Sequence, residues 1–215
     1  MRYHILLPVC VALLATAATA SAQRLPQGCG NLQNAYGPFD YTNPDHFREM
    51  LPRVEGAHFD NGVEYLRGHA QHPLNLPGDI DYTLRAFPNH HRALYTMARY
   101  QLQVAKKQYN RKPMRYSARC YFERAMAFKP DDGVVRMIYG VYLFKAGKFE
   151  ESTQRFQEAL ERSPNDAEVH YNLGLVLVQT KKYDDALRHA KIAYELGHPM
   201  PGLRKQLQRA GVWVE

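Results

Sequence analysis

The sequence has few of the residues and motifs on which enzyme sites depend. It contains three cysteines and one tryptophan in 215 residues, and beyond its first 22 residues the serines are limited to Ser117, Ser152 and Ser163. None of them lies in a G-x-S-x-G turn, and the sequence has no C-x2-C pair, no metalloprotease-type histidine helix and no glycine-rich phosphate loop. These features predict a protein that is not an enzyme and has no cofactor or resident metal.

The one long apolar run lies at the N-terminus. It covers residues 5–14 and leads into small residues that end in an A-x-A motif at 20–22. This pattern predicts a secretory signal peptide over 1–22, with the mature chain starting at Gln23. A membrane anchor is the alternative, but a bilayer span needs about 20 apolar residues. We therefore expect an exported protein, in the periplasm or otherwise secreted.

Removing this leader leaves two cysteines, Cys29 and Cys120. An even pair in an oxidising compartment favours a disulfide. It would close a loop of about 90 residues and stabilise the fold by roughly 4–5 kcal/mol. Two free thiols are the alternative interpretation.

Several residues recur at a spacing of 34 positions. Gly140 and Gly174 are separated by this interval, as are Phe156 and Ala190. The two best copies cover 133–166 and 167–200. The first copy reads Arg136-x2-Tyr139-Gly140-x2-Leu143, then Ser152-x3-Phe156-x2-Ala159 and Pro164. The second copy reads His170-x2-Leu173-Gly174-x2-Leu177, then Ala186-x3-Ala190-x2-Ala193. These residues resemble the tetratricopeptide repeat, a helix-turn-helix unit of 34 residues with the pattern W-x2-L-G-x2-Y, A-x3-F and Pro.

An earlier copy contains an insertion. Ala98 precedes Gly140 by 42 positions, eight more than one period, so we expect a long turn over 106–116. A weaker copy is expected upstream, with its first helix within 60–69 and its second helix kept short by Pro77. At the other end, Pro201 is placed to open a capping helix.

The resemblance implies an all-α tetratricopeptide-repeat solenoid of about three repeats, a degenerate N-terminal repeat and a C-terminal capping helix. The predicted division of the chain is a signal peptide over 1–22, an extended N-terminal arm over 23–57 and a helical repeat domain over 58–215. Because each helix pair buries its apolar face only against its neighbours, the repeats are expected to form one continuous core.

The resemblance also implies a function. First helices of successive repeats line a concave groove that binds peptides or protein segments. The residues it places there are Arg92, Tyr95, Arg99, Gln103, Met137, Val141, Phe144, Tyr171, Asn172, Leu175 and Val178. An exposed apolar strip of this kind indicates a partner protein, unless the arm covers it. A bond from Cys29 to Cys120, on a second helix, would hold the arm outside the groove.

A basic turn offers an alternative. Cations lie among tyrosines from Lys106 to Arg119; the proposed patch consists of Lys106, Lys107, Arg111, Lys112 and Arg115. Such a patch suits an anionic cell-wall glycan or lipid, although a solvated loop is the simpler interpretation. Nucleic acid is the least expected partner of an exported protein.

The remaining polar clusters have structural interpretations. The acidic pairs Asp131-Asp132, Glu150-Glu151 and Asp184-Asp185 fall at expected helix starts, where the helix dipole favours negative charge. His58, His69 and His72 could hold a metal, but without the spacing of a known site. His90-His91 suits a turn or cap. We therefore expect a protein-interaction module that works in envelope assembly.

Overall fold

The computed structural model describes residues 25–71, 73–107 and 112–214; the expected signal peptide lies outside them. These residues form eleven α-helices and one 3-10 turn, Pro73–Asn75, and no β-strand. The helices are α1 Pro44–Glu49, α2 Leu51–His58, α3 Asn61–Glu64, α4 Leu76–Ala86, α5 His91–Ala105, α6 Ala118–Phe128, α7 Gly133–Lys145, α8 Phe149–Leu160, α9 Ala167–Gln179, α10 Tyr183–Glu195 and α11 Gly202–Arg209. The predicted all-α fold is confirmed, and within the described ranges no helix is long and apolar enough to cross a bilayer.

The expected repeats are three helix pairs, α5–α6, α7–α8 and α9–α10, followed by the capping helix α11. Polar side chains start their first helices at matching places: His90, Asp132 and Asp166 each accept a hydrogen bond from the backbone N–H three residues on. These caps satisfy N–H groups that have no partner within the helix. The capping role expected for His90 and for the first acidic pair is confirmed.

The packing inside the helix pairs explains why small residues recur at the 34-residue spacing. A Cβ on Gly140 would lie 2.8 Å from the ring of Phe156, so only glycine lets α7 and α8 approach this closely. One period later Ala190 replaces the phenylalanine. Leu203 of the cap fills that space instead, 2.5 Å from the corresponding Cβ position on Gly174. The third repeat therefore completes its core with a side chain from α11.

The N-terminal part differs from the expectation in two respects. The arm predicted over 23–57 is non-helical only as far as residue 43 in the described part, because α1 and α2 follow. Asn43 caps α1, and Pro44 and Pro52 occupy first-turn positions that tolerate proline. Pro77 does not shorten α4 either, since it lies in the first turn of an 11-residue helix.

The arm, residues 25–43, lies against second helices. Phe39 N–H donates to the carbonyl of Ala86 at the end of α4, over a distance of 2.8 Å. Its ring packs 5.4 Å from that of Phe87, a fully buried residue. Asn89, also fully buried, accepts a hydrogen bond from the Tyr41 N–H and donates one to Asp40. The arm is therefore packed against the folded core.

The start of the arm is tied to α6. Cys29 and Cys120 form a disulfide with a Cα–Cα distance of 5.0 Å. Arg124, buried on the same helix, donates hydrogen bonds to the carbonyls of Cys29 and Asn31. The structure thus places the start of the arm on the side expected from the cysteine pair. The end of the arm reaches the start of α5, where the Tyr41 ring stacks on that of His90 at 4.4 Å.

Candidate interaction groove

The first helices α5, α7 and α9 lie side by side and bring five of the predicted groove residues around one cavity. Arg92, Tyr95, Met137, Val141 and Asn172 line this space of about 520 Å³. Met137 and Val141 are half-buried, whereas Tyr95 is 42% exposed. We call this surface the groove. It offers an apolar floor with polar edges, which suits the binding of an amphipathic partner.

The groove also contains residues that the motif did not indicate. They are Glu64 of α3, His91 of α5, Ile138 and Lys145 of α7, and Glu168 of α9. Lys145 follows Val141 by one helical turn, so helical periodicity alone would have placed it on this surface. No sequence signal pointed to Glu64, because it lies in a four-residue helix of the degenerate repeat.

Tyr171 is the predicted groove residue that the structure corrects. Its exposure is only 9%, because its ring stacks on His198 at 3.9 Å and its hydroxyl lies beside Gly202 of the cap. Phe144, Leu175 and Val178 are half-buried against the core of the last two repeats. The open groove is therefore displaced towards α5 and α7.

One end of the groove is electrically neutralised. Arg92 donates hydrogen bonds to Glu55 at 3.0 Å and to Glu64 at 2.9 Å. The hydrogen bonds and charge of Arg92 outweigh the effect of burial and hold the pKa of Glu64 below its usual value. The guanidinium also lies over the ring of Phe59. This arginine supports the rim of the groove and is already engaged within the chain.

The other end is basic. Arg99, Lys106 and Lys145 surround a second cavity of about 300 Å³, together with Leu102 and Gln103. Lys145 lines both cavities, so the two spaces adjoin. We call these three cations the basic end. The sequence had assigned Arg99 to the groove and Lys106 to a separate patch, whereas the structure places them together.

The rest of the predicted anionic-partner patch lies along the turn between α5 and α6. Lys107, Lys112 and Arg115 are exposed, and Arg115 lies over the ring of Tyr116; Arg111 falls outside the described residues. The Tyr100 hydroxyl donates to the carbonyl of Lys112 at 2.7 Å, fixing that part of the turn on α5. Binding of a glycan or lipid to this turn stays a prediction.

The histidines raised as metal ligands have protein partners. His58 lies 3.0 Å from Asp79, and His90 contacts Glu55 at the same distance. Burial lowers the pKa of His90, which favours its neutral form. His72 lies outside the described residues. Within the described ranges no group of three or more His, Cys, Asp or Glu side chains is placed to hold a metal ion.

Comparisons with known proteins agree on the repeat. A family model described as TPR repeat matches residues 142–181. The Hsp70-Hsp90 organising protein of Plasmodium falciparum (isolate 3D7) is 36% identical over 56 residues, which is 26% of this chain and only 10% of that protein. The solved structure of Pseudomonas aeruginosa pilF aligns with 77% of this chain and 68% of its own, at 21% identity and a TM-score of 0.53. That likeness concerns the fold alone.

Proposed function

We propose that this chain, which contains a match to the TPR repeat and folds as a stack of helix pairs, is a non-catalytic interaction module that holds a partner polypeptide in the groove. One observation supports this proposal above others. The apolar cluster that includes Val54, Ala86 and Phe87 is packed against the chain's own arm, whereas Met137, Ile138 and Val141 line an open cavity. Accessible apolar surface between polar edges is typical of a protein-binding site.

The dimensions favour a polypeptide segment over a compact ligand. Neighbouring packed helices are about 8–10 Å apart, so a path across α5, α7 and α9 measures roughly 20 Å. An extended chain advances about 3.3 Å per residue, so about six residues would cross the three helices. The surface therefore suits a short linear segment of a partner protein.

We infer further that the protein is exported and works in the bacterial envelope, in the assembly or recruitment of a protein complex. The leader-like residues 1–22 and the disulfide between Cys29 and Cys120 support this location, because disulfides persist in oxidising compartments. Fractionation of producing cells and N-terminal sequencing of the product test this inference. A chain that starts at Gln23 in the periplasmic fraction supports it; an uncleaved cytoplasmic chain contradicts it.

Site-specific photo-crosslinking tests the groove itself. A photoreactive amino acid replaces Tyr95, which is exposed in the groove, or Gln157, an exposed residue of α8 outside it. We expect a crosslinked polypeptide from position 95 only. Adding Val141→Arg should abolish that product, because a charged side chain would then stand in the apolar floor.

The same crosslinking experiment can also contradict binding in the groove. Crosslinks that form equally from positions 95 and 157, or that persist with Val141→Arg, would mean that the partner binds elsewhere. Circular dichroism of each variant verifies that the helices are retained, and Gln157→Arg serves as the charge-matched control.

A further inference from the structure

The last repeat contains a close pair of histidines that does not belong to the groove. The Nδ1 atoms of His170, in the first turn of α9, and His189, on α10, are 2.8 Å apart. His170 is buried, whereas His189 is half-buried, so solvent reaches the pair through His189. Neither ring lines the two cavities along the groove. A ligand bound by the pair would therefore leave the partner-binding surface free.

The backbone sets the position of the hydrogen on the His170 ring. The Nε2 atom of this ring lies 2.9 Å from the carbonyl oxygen of Pro164. A carbonyl oxygen only accepts hydrogen bonds, so Nε2 carries the hydrogen and Nδ1 of the neutral imidazole presents a lone pair to His189. Histidines that bind metals are usually held in this way, with the other ring N–H donating to a carbonyl or carboxylate. His170 Nδ1 is therefore oriented as a metal ligand.

The separation of the two nitrogens fits one type of metal site. A histidine nitrogen lies about 2.0 Å from a bound metal. Two nitrogens at neighbouring corners of a square plane are then about 2.8 Å apart, which is the distance between the Nδ1 atoms of His170 and His189. A tetrahedral ion such as Zn²⁺ would separate them to about 3.3 Å. Square-planar coordination by nitrogen and oxygen is typical of Cu²⁺ and Ni²⁺.

The surroundings of the pair leave coordination positions for water. In the part of the chain that the structure describes, no third His, Cys, Asp or Glu side chain is grouped with the pair. Arg188 precedes His189 on α10, but Asp185 forms an ion pair with it and offsets its charge near the site. A cation can therefore approach through the half-buried His189 and keep part of its water shell.

We propose that His170 and His189 form a metal site that prefers Cu²⁺ and joins α9 to α10. The two Nδ1 atoms take neighbouring corners of the square plane, and water takes the others. The hydrogen between the two nitrogens moves through solvent to Nε2 of His189, so both rings stay neutral and no proton is released. Because only two side chains hold the ion, it exchanges with the solvent, in keeping with a sequence that has no motif for a resident metal.

Calorimetric titration of Cu²⁺ into the purified mature protein, after chelator treatment and dialysis, tests this proposal. The two ligand variants are His170→Gln and His189→Gln. His46→Gln is the matched control, because His46 is also a half-buried histidine but lies on α1, outside the last repeat. Electron paramagnetic resonance of the Cu²⁺ complex counts the imidazole nitrogens bound to the ion. Circular dichroism verifies that each variant retains its helices.

We expect one Cu²⁺ per chain, with two imidazole nitrogens in the spectrum and an affinity at least about tenfold higher than that for Zn²⁺. Each ligand variant should weaken binding by about tenfold or more, since loss of even an outer-shell partner of a metal ligand has effects of this size. His46→Gln should leave the affinity within about twofold. Cu²⁺ should also raise the midpoint of thermal unfolding of the wild type, but not that of His189→Gln, because only the intact pair binds the ion in the folded state.

Three results would overturn the proposal. They are no binding of Cu²⁺ by the wild type, equal affinities of the wild type and both ligand variants, and binding of Zn²⁺ as tight as that of Cu²⁺. If the buried change His170→Gln unfolds the protein, the half-buried His189→Gln decides the outcome. The pair lies outside the groove, so each of these results leaves the proposed function untouched.

Discussion

The arm side and the groove side of the helix stack differ in what covers their apolar residues. On the arm side, Tyr36, Phe39 and Tyr41 pack against a buried cluster that includes Val54 and Phe87. On the groove side no described segment of the arm lines either cavity. The fold therefore covers one apolar surface permanently and leaves the other accessible. Changes on the arm side should reduce stability, and changes on the groove side should reduce binding.

The largest expected effect comes from freeing the arm. Replacing both Cys29 and Cys120 with serine removes a crosslink between positions 91 residues apart. Loop-closure entropy then predicts a loss of about 4–5 kcal/mol in the free energy of unfolding. Denaturant titration of the oxidised wild-type protein and the double variant measures this loss. Equal midpoints and slopes would show that the bond does not constrain the chain.

A smaller loss is expected from the arm's aromatic contact. Phe39→Ala removes a half-buried ring that lies 5.1 Å from Tyr36 and 5.4 Å from Phe87. We expect about 2–3 kcal/mol of destabilisation, below the range for fully buried phenylalanines. Thermal unfolding by circular dichroism measures it, with Leu74→Ala at a 93% exposed position as the control. Similar losses in both variants would contradict a specific role for the Phe39 contact.

The last repeat and the arm should lose stability in different pH ranges as the solution is acidified. The His170 and His189 Nδ1 atoms are 2.8 Å apart, and burial together with this neighbour lowers the pKa of His189 to about 4. The unfolded chain binds this proton at about 6.5, so the contribution is complete above that pH and is lost as pH falls towards 4. We expect a loss on the order of 1–2 kcal/mol, discounted for partial exposure.

The carboxyl group of Asp40 in the arm should affect stability in a different pH range. Burial raises the pKa of Asp40, but hydrogen bonds from Thr42 and Asn89 outweigh it and lower the value to about 2. Its stabilising effect is therefore complete above about 3.8 and lost as pH falls towards 2. Stability curves of the wild type and His189→Asn between pH 7 and 2 test the difference, because the variant should lose the pH dependence between about 6.5 and 4 and keep that below about 3.8. A wild-type slope that survives this substitution would assign the acid sensitivity to another group.

The smallest effect on stability is expected in the groove. Val141→Ser changes a half-buried side chain that lines the open cavity. The unfolding free energy of the protein should therefore fall by no more than about 1 kcal/mol. The same variant should lose most of its crosslinking from position 95. A loss of stability as large as that of Phe39→Ala would remove the contrast between the two sides.

The repeats could be predicted because they depend on local spacing. Gly140 permits a close helix contact and Asp132 caps a helix, and both signals are readable from neighbouring residues. The helices between residues 44 and 58 were missed because they follow no 34-residue pattern. Their short length and proline-containing first turns make them depend on tertiary contacts.

The groove was only partly predictable for a related reason. The motif identifies the first helices, but it does not show which of their positions another element covers. Tyr171 was misplaced because His198 and the cap lie over it. The basic end was divided between two predicted sites, although Arg99 and Lys106 are seven positions apart on α5 and its C-cap and so share a face. Only the approach of Lys145 depends on the packing of α5 on α7.

Radical footprinting in intact cells tests the central claim most directly. Labelling of Tyr95 and Met137 in the groove is compared with that of Met200, an exposed residue near the cap, in cells and in the purified protein. The account predicts that Tyr95 and Met137 lose labelling in cells while Met200 does not. Equal labelling of all three in both settings would contradict a partner in the groove.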